Sequence, residues 1–464
     1  MSERRTVLRG AAVVTLDDAL GDLPSGDILI ENEKIIEVAA RIDAGDAELI
    51  DASGTIALPG FVDTHRHVWQ TAMRSITADW SLMDYIRGIR YRAAGTYRAE
   101  DMFAAQYAGA LEALNAGVTT VVDYSHNVLT PDHAYEAIRG LREAGIRALW
   151  CYGFNDPPTA SPCFENAEQR AKLAREIAAE HFSSGDQLLT FGIAPEEPGF
   201  LTPETRALQF RTARELDARI TQHVNCLRMG QDPGELAELA RNSLLGPDVL
   251  LVHMGYTTEE EWRMVADAGC SVSFTPETEL QMGMNFSPTG ALRRFGIPPT
   301  VGADIVSNNS GDLFFQLRLA LQVERALANV PTIEGGAMPE GVPVPVREAI
   351  AWGTINGAKA AGLDHRIGSL TPGKEADIVL IRTDGINFAG WNDKDPVASV
   401  LLQAHPGNVD TVLVAGRTVK RNGRLCADVT KAREAVTAAQ RHVARATEAL
   451  GGFRVHPDAQ GLSD

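Results

Sequence analysis

Eight short runs rich in β-branched residues, separated by helical-looking segments, constrain this chain more than any other feature. The runs are "FVDTH" (61–65), "VTTVVDY" (118–124), "IRALWCYGF" (146–154), "QLLTFGIAP" (187–195), "RITQHV" (219–224), "DVLLVHM" (248–254), "CSVSFTP" (270–276) and "PTVGAD" (299–304). Between them lie stretches such as "AEDMFAAQYAGALEALNAG", which ends on Gly117, a good helix stop, and "PETRALQFRTARELDA". Strands alternating with helices build βαβ units and a parallel sheet. Eight such units in about 250 residues predict an α/β fold, a (β/α)8 TIM barrel. An open, doubly wound sheet is the competing architecture. The barrel is preferred because chemically capable residues end several of the runs, and a barrel gathers those ends around one mouth.

Both ends of the chain have a different texture. "GAAVVTL" and "GDILIENEKIIEV" near the N-terminus, and "EADIVLIR" and "DTVLVAGRTVKRNG" near the C-terminus, are short strands joined by polar turns, with Ala415-Gly416 as a hairpin turn. They predict a small β-sandwich assembled from residues 1–57 and 366–428, around a barrel over 58–365. Residues 429–464 are expected to form a helix and a tail. Val436, Val443 and Leu450 recur there every seven residues, which suits a helix packed on its own domain or, less directly, an oligomer contact.

The charge balance, 43 − 61 = −18, disfavours nucleic acid and anionic membrane as partners. Five scattered cysteines with no CxxC pair form no disulfide framework and suit a reducing compartment, the cytoplasm. Arg4-Arg5 before "TVLRGAAVVTL" has the outline of a twin-arginine signal, but Arg9 and Asp17-Asp18 interrupt the apolar run, which is read as a strand. No stretch approaches the ~20 apolar residues of a membrane span.

Chemistry concentrates at the strand ends. The first gives His65 and His67, which share one face of an extended strand. The second gives Asp123 and then His126; the fourth gives Glu196 and Glu197; the fifth His223, the sixth His253, the eighth Asp304. Five of the chain's 11 histidines fall on these termini, so a shared site outweighs the structural explanation that each has alone. His65, His67, His223 and Asp304 together make an N/O donor set suited to one divalent transition metal, zinc before iron. Such an ion lowers the pKa of a water it carries from about 15.7 to about 7. His253 would stand beside that water or the substrate as a proton-handling or electrophilic group.

"LPGFVDTHRH", "EALNAGVTTVVD", "GAD" at 302–304, "INGAKAAGLD" and "IGSLTPGKEADIVLI", in order over nearly the whole chain, resemble the amidohydrolase superfamily. The closer likeness is to its deaminase and chlorohydrolase branch, with cytosine deaminase-like and triazine hydrolase-like members. The resemblance implies a barrel inserted into a β-sandwich, one catalytic metal, and hydrolysis at a ring carbon bearing a nitrogen or halide leaving group. It also implies metal-ligand roles for His65, His67, His223 and Asp304, a hydroxide- or substrate-facing role for His253, and a homodimer or tetramer.

Three departures from that branch stand out. A Glu proton shuttle is usual three residues after the fifth-strand histidine; here that position is Cys226. "PxSNxxLG" is replaced by "PETELQMG", with Glu277 and Glu279, and Glu196 stands where a substrate-binding His is common. Cys226, Glu277 and Glu279 are therefore the candidates to replace the shuttle, with Cys226 better suited to a small buried filler at a strand end than to a reactive thiol. Trp69, Gln70 and Trp80 in the long loop after the first strand, with His126 and Glu196, are the substrate-facing candidates, since aromatics stack on flat rings and an amide reads their edges. Tyr85 of that loop and the methionines of "QMGMN" (281–285) could line the pocket too. The expected function is metal-dependent hydrolysis at an sp2 carbon of a small N-heterocyclic or amidine-like molecule, of aminohydrolase type through a metal-bound hydroxide. The alternatives are amide hydrolysis, dehalogenation or a lyase reaction in the same barrel, and a catalytically silent binding barrel.

Overall fold

The computed structural model describes residues 4–197, 201–226 and 234–454; the tail beyond 454 lies outside them. Five strands precede the barrel: β1 (Arg5–Val13), β2 (Leu23–Glu31), β3 (Lys34–Ala39), β4 (Glu48–Asp51) and β5 (Thr55–Pro59). The barrel strands are β6 (Phe61–Arg66), β7 (Val118–Ser125), β8 (Arg147–Gly153), β9 (Leu189–Ala194), β10 (Arg219–Val224), β11 (Val249–His253), β12 (Ser271–Phe274) and β13 (Pro299–Val301). Four more follow: β14 (Ile378–Arg382), β15 (Val409–Val414), β16 (Arg417–Arg421) and β17 (Arg424–Leu425).

β6 to β13 pair in parallel, each with its sequential neighbours, as expected when consecutive strands are joined through crossover segments. The seam between first and last strand is closed by backbone hydrogen bonds, from Asp304 N–H to the His65 carbonyl (2.8 Å) and from His67 N–H to the Asp304 carbonyl (2.9 Å). Inside, Thr64 Oγ1 meets Ser273 Oγ (2.7 Å) and Thr300 Oγ1 (3.0 Å), so these buried hydroxyls satisfy one another. Val62, Val122, Leu149 and Leu250 pack in one cluster with Ala358, Leu363 and Ile367, which plug the barrel from below.

The remaining strands form one nine-stranded sheet in the order β17-β16-β15-β14-β5-β1-β2-β3, with β4 beside β1. Both ends of the chain thus share a sheet, joined where β5 pairs with β14. Ala415 (φ 45°) and Gly416 (φ 68°) are both left-handed, as a two-residue hairpin turn needs. This sheet meets the barrel at the N-terminal ends of its strands: Arg147, the first residue of β8, is fully buried against Asp377 (2.9 Å) and Glu375 (2.6 Å). The opposite, C-terminal end is left for the loops. There the long segment after β6 runs through a helix at Leu82–Tyr85 and a π-helical stretch at Ile86–Ala93. The helix Val429–Ala449 packs on the barrel helix Ala99–Asn115 rather than on the terminal sheet; Val443 is buried and Leu450 exposed. Arg92 of the loop donates to the Gly452 carbonyl (2.8 Å) just past that helix. Among the described residues no helix is long and apolar enough to cross a membrane.

Candidate active site

The C-terminal ends of strands β6, β10, β11 and β13 bring His65, His67, His223, His253 and Asp304 together. His65 Nε2 lies 3.3 Å from Asp304 Oδ1 and 3.2 Å from His223 Nε2, and His67 Nε2 lies 3.5 Å from Asp304 Oδ1. His65, His67 and Asp304 form one group whose donor atoms lie within 4.8 Å of one another, and His65, His223 and His253 form another. All five side chains are buried. Asp63 holds the seam from inside, accepting the backbone N–H of Ala303 (3.0 Å) and of His65 (3.3 Å). His253 (φ 74°) and Asp304 (φ 62°) leave their strands in the left-handed region, which Asp and His enter more readily than most residues.

The far side of three rings is anchored. His67 Nδ1 donates to the Tyr124 carbonyl (2.9 Å), His223 Nδ1 faces Glu197 Oε1 (3.2 Å), and His253 Nδ1 faces Glu279 Oε1 (3.3 Å). A proton held on Nδ1 of His67 and His223 leaves each Nε2 a bare acceptor. His67 Nε2 faces Asp304 Oδ1 and His223 Nε2 faces His65 Nε2 inside a buried cluster, acceptor against acceptor, which is unfavourable without a positive charge between them. The three spacings seen, 3.2 Å for His65–His223, 3.3 Å for His65–Asp304 and 3.5 Å for His67–Asp304, are those of neighbouring donors that each lie ~2.0–2.1 Å from a shared zinc ion. The donor set therefore fits a divalent metal.

Electrostatics agree. Burial pushes His65 down, His67 well down and His223 to about 4, so all three are neutral imidazoles with free lone pairs near neutral pH. Burial alone would raise Asp304, but the hydrogen bond with His65 and the surrounding imidazoles reverse it and hold the carboxylate well below its usual range. His253 behaves oppositely: burial would lower it, yet Glu279 and Asp304 raise it.

Of the three shuttle candidates, Glu279 alone touches this cluster. It is buried, accepts the Thr275 N–H (2.8 Å) and the Ser287 hydroxyl, and reaches His253. Glu277 turns away to Gln316 Nε2 (2.7 Å) and Ser310 Oγ (3.2 Å). Cys226 sits partly buried just past β10, its thiol pushed well above the ordinary value by burial.

The expected substrate-facing residues divide. His126 stacks on His67 with ring centroids 4.1 Å apart. Glu196 is half-buried beside Glu197, and burial raises it to about 7. Trp69 is fully buried, packs edge-on against Tyr97 and donates its indole N–H to His126 Nδ1 (2.9 Å). Gln70 is also fully buried, its amide spent on Tyr85 Oη (2.6 Å) and Ser307 Oγ (3.0 Å). Trp80 covers Gly88 within the loop. Trp69 and Gln70 thus build the wall behind the mouth. Two residues had no role assigned from sequence: Glu197, whose only signal was its place beside Glu196 at a strand end, and Arg90, which had none.

Comparison with known proteins gives concordant matches. The model of the amidohydrolase family matches residues 56–419. A 5'-deoxyadenosine deaminase of Methanothermobacter thermautotrophicus is 26% identical over 87% of this chain and 91% of its own length. A 5-methylthioadenosine/S-adenosylhomocysteine deaminase of Moorella thermoacetica is 27% identical over 81% and 84%. In fold, a zinc-bound adenosine deaminase of Xanthomonas campestris superposes with a TM-score of 0.82 at 22% identity, covering 94% of this chain and 98% of that one. An atrazine chlorohydrolase of Arthrobacter aurescens, solved with zinc, gives 0.83 at 23% identity, covering 94% and 100%.

Proposed function

The chain belongs to the amidohydrolase family, and from that premise we propose that it removes an exocyclic amine from a small N-heterocycle, with 6-aminopurine nucleosides the first class to test. It is a metal-dependent hydrolase of C–N bonds other than peptide bonds, acting on a small molecule. We propose that His65, His67, His223 and Asp304 hold one zinc ion. That ion, when bound, supplies Lewis acidity that makes water nucleophilic near neutral pH. Asp304, kept ionised by its imidazole neighbours, is placed to accept the proton of the attacking water. His253 polarises the carbon's substituent, and Glu279 orients that ring from behind. In this reading Glu279 fills the gap left where Cys226 stands in place of the usual Glu. His126 and Glu196 face the substrate, against the wall made by Trp69 and Gln70.

The observation that carries the proposal is that His65, His67 and Asp304 bring donor atoms within 4.8 Å of one another, with His223 Nε2 3.2 Å from His65 Nε2 and the rings of His67 and His223 pinned at Nδ1. The substitution of Cys226 supports a second reading, dehalogenation, in which a halide leaves without being protonated; amide hydrolysis and a lyase reaction stand behind it. The test is protein stripped by a chelator and reloaded separately with Zn²⁺ and Fe²⁺. Ammonia and halide release are then measured over aminopurine nucleosides, aminopyrimidines, and amino- and chlorotriazines. Ammonia from an aminopurine, lost on stripping and restored by zinc, is the expected result. Halide without ammonia favours the second reading, and neither product from loaded protein overturns both.

A further inference from the structure

Arg90 is a buried arginine on a loop rather than on the barrel, and both terminal nitrogens of its guanidinium face the carboxylate behind a metal-facing histidine. It lies in the π-helical stretch Ile86–Ala93, in the segment that leaves β6 and crosses the mouth. Its Nη1 donates to Glu197 Oε1 (2.7 Å) and its Nη2 approaches Oε2 (3.4 Å), a two-pronged grip that fixes the plane of the carboxylate. The same Oε1 receives His223 Nδ1 (3.2 Å), and His223 Nε2 in turn faces His65 Nε2 (3.2 Å). A π-helical turn is unusual and is often found at functional sites.

We infer that Arg90 and Glu197 form a positioning pair for His223, through which the loop over the mouth sets how tightly the barrel grips its metal. The inference rests on the metal site proposed above and adds residues that no part of that proposal requires. A carboxylate clamped by a guanidinium can only accept from His223. The ring proton is thereby kept on Nδ1, and Nε2 keeps its lone pair and its direction toward the other donors. Without Arg90, Glu197 is a partly buried anion that has lost its guanidinium partner and is free to turn from the ring. Because Arg90 belongs to the loop and Glu197 to the end of β9, displacing the loop and loosening the ion become one event.

The test is Zn²⁺ affinity of the full-length protein, measured by competition with a chromophoric chelator, which needs no substrate. The variants are His223→Ala, Glu197→Gln, Arg90→Met, Arg90→Lys and the Glu197→Gln/Arg90→Met double, with far-UV circular dichroism as a check on folding. Glu197→Gln and Arg90→Met are each expected to weaken zinc by about 10–100-fold, the usual effect of losing an outer partner of a metal-bound histidine. The double variant should be little worse than the singles, and Arg90→Lys should recover part of the loss. If Arg90→Met does not fold, Arg90→Gln asks the same question with a smaller change. Should His223→Ala weaken zinc while both Arg90 and Glu197 variants stay within about threefold of the parent, the positioning role is overturned and the metal site stands. Fully additive losses overturn it as well. If the parent binds no zinc, or His223→Ala binds as the parent does, the metal site itself fails and the inference with it.

Discussion

At the scale of single residues, the molecule separates groups that chemistry could not rank from type alone. Glu277 and Glu279 are two residues apart on one short helix, Pro276–Gln281, and only Glu279 turns into the site. A helix sends side chains two apart to different faces, so one of the two had to point away. Glu279→Gln keeps the shape but removes the charge behind His253. The expected outcome is a fall in kcat/KM of about 10²-fold on a confirmed substrate, the lower end of what acid–base help contributes. Cys226→Ser should leave kcat/KM within about twofold, because a partly buried thiol with a raised pKa is a poor proton carrier. Steady-state kinetics on both variants checks this, and a collapse in Cys226→Ser would restore the thiol as the shuttle. The histidines were legible because each stands at the end of an apolar run. Arg90 was not, since its partner Glu197 is 107 residues away and loop sequence carries no periodicity to place it.

Elements bring those residues together only if the barrel closes, and the closure is tight at Gly302. A Cβ there would lie 2.6 Å from the His65 carbonyl oxygen and 2.7 Å from its nitrogen, both backbone atoms that cannot yield without opening the seam between β6 and β13. Gly302→Ala is expected to lose about 1–3 kcal/mol of stability, as overpacking typically does. It should also weaken metal binding, because His65 and Asp304 lie on the two sides of that seam; urea unfolding and a chelator titration measure the two effects. Lys420 of β16 tests a different joint. Its ammonium is buried on the Asn115 carbonyl (2.7 Å) at the end of a barrel helix, and burial lowers it from 10.5 to about 8. The folded chain therefore binds fewer protons than the unfolded chain between about pH 8 and pH 10.5, and this lysine's contribution to stability rises with pH across that window. Below pH 8 its burial opposes folding in full. Lys420→Met should lack this rise, so stability of the parent relative to the variant should increase between pH 8 and 10.5; parallel curves in denaturant midpoint against pH would refute it. Element boundaries were readable because strand runs and helix periodicity are local, whereas the lysine's burial depends on a helix some 300 residues earlier.

For the whole molecule, the buried cluster of Arg147 with Glu375 and Asp377 ties the terminal sheet to the base of the barrel. Glu375 retains Arg366 (2.7 Å) and Asp377 retains the Ala415 N–H (2.8 Å), so losing Arg147 strands the two carboxylates only in part. Arg147→Met is accordingly expected to cost about 3 kcal/mol, the low end for breaking a buried ion pair, read from guanidinium unfolding. An unchanged midpoint would show that the two sheets hold together without it. The chain's own order of residues determined that eight parallel strands would alternate with helices, that the two ends would share a sheet, and that histidines and an aspartate would stand at strand ends. Those properties follow from local hydrophobic periodicity and from which residue interrupts it. Tertiary structure alone decided which acid reaches His253, that Trp69 and Gln70 serve as wall, and that a loop arginine stands behind His223. Each of these is a pairing between groups far apart in sequence, set by where closure of the barrel and the path of one loop bring them, and no local pattern encodes that distance.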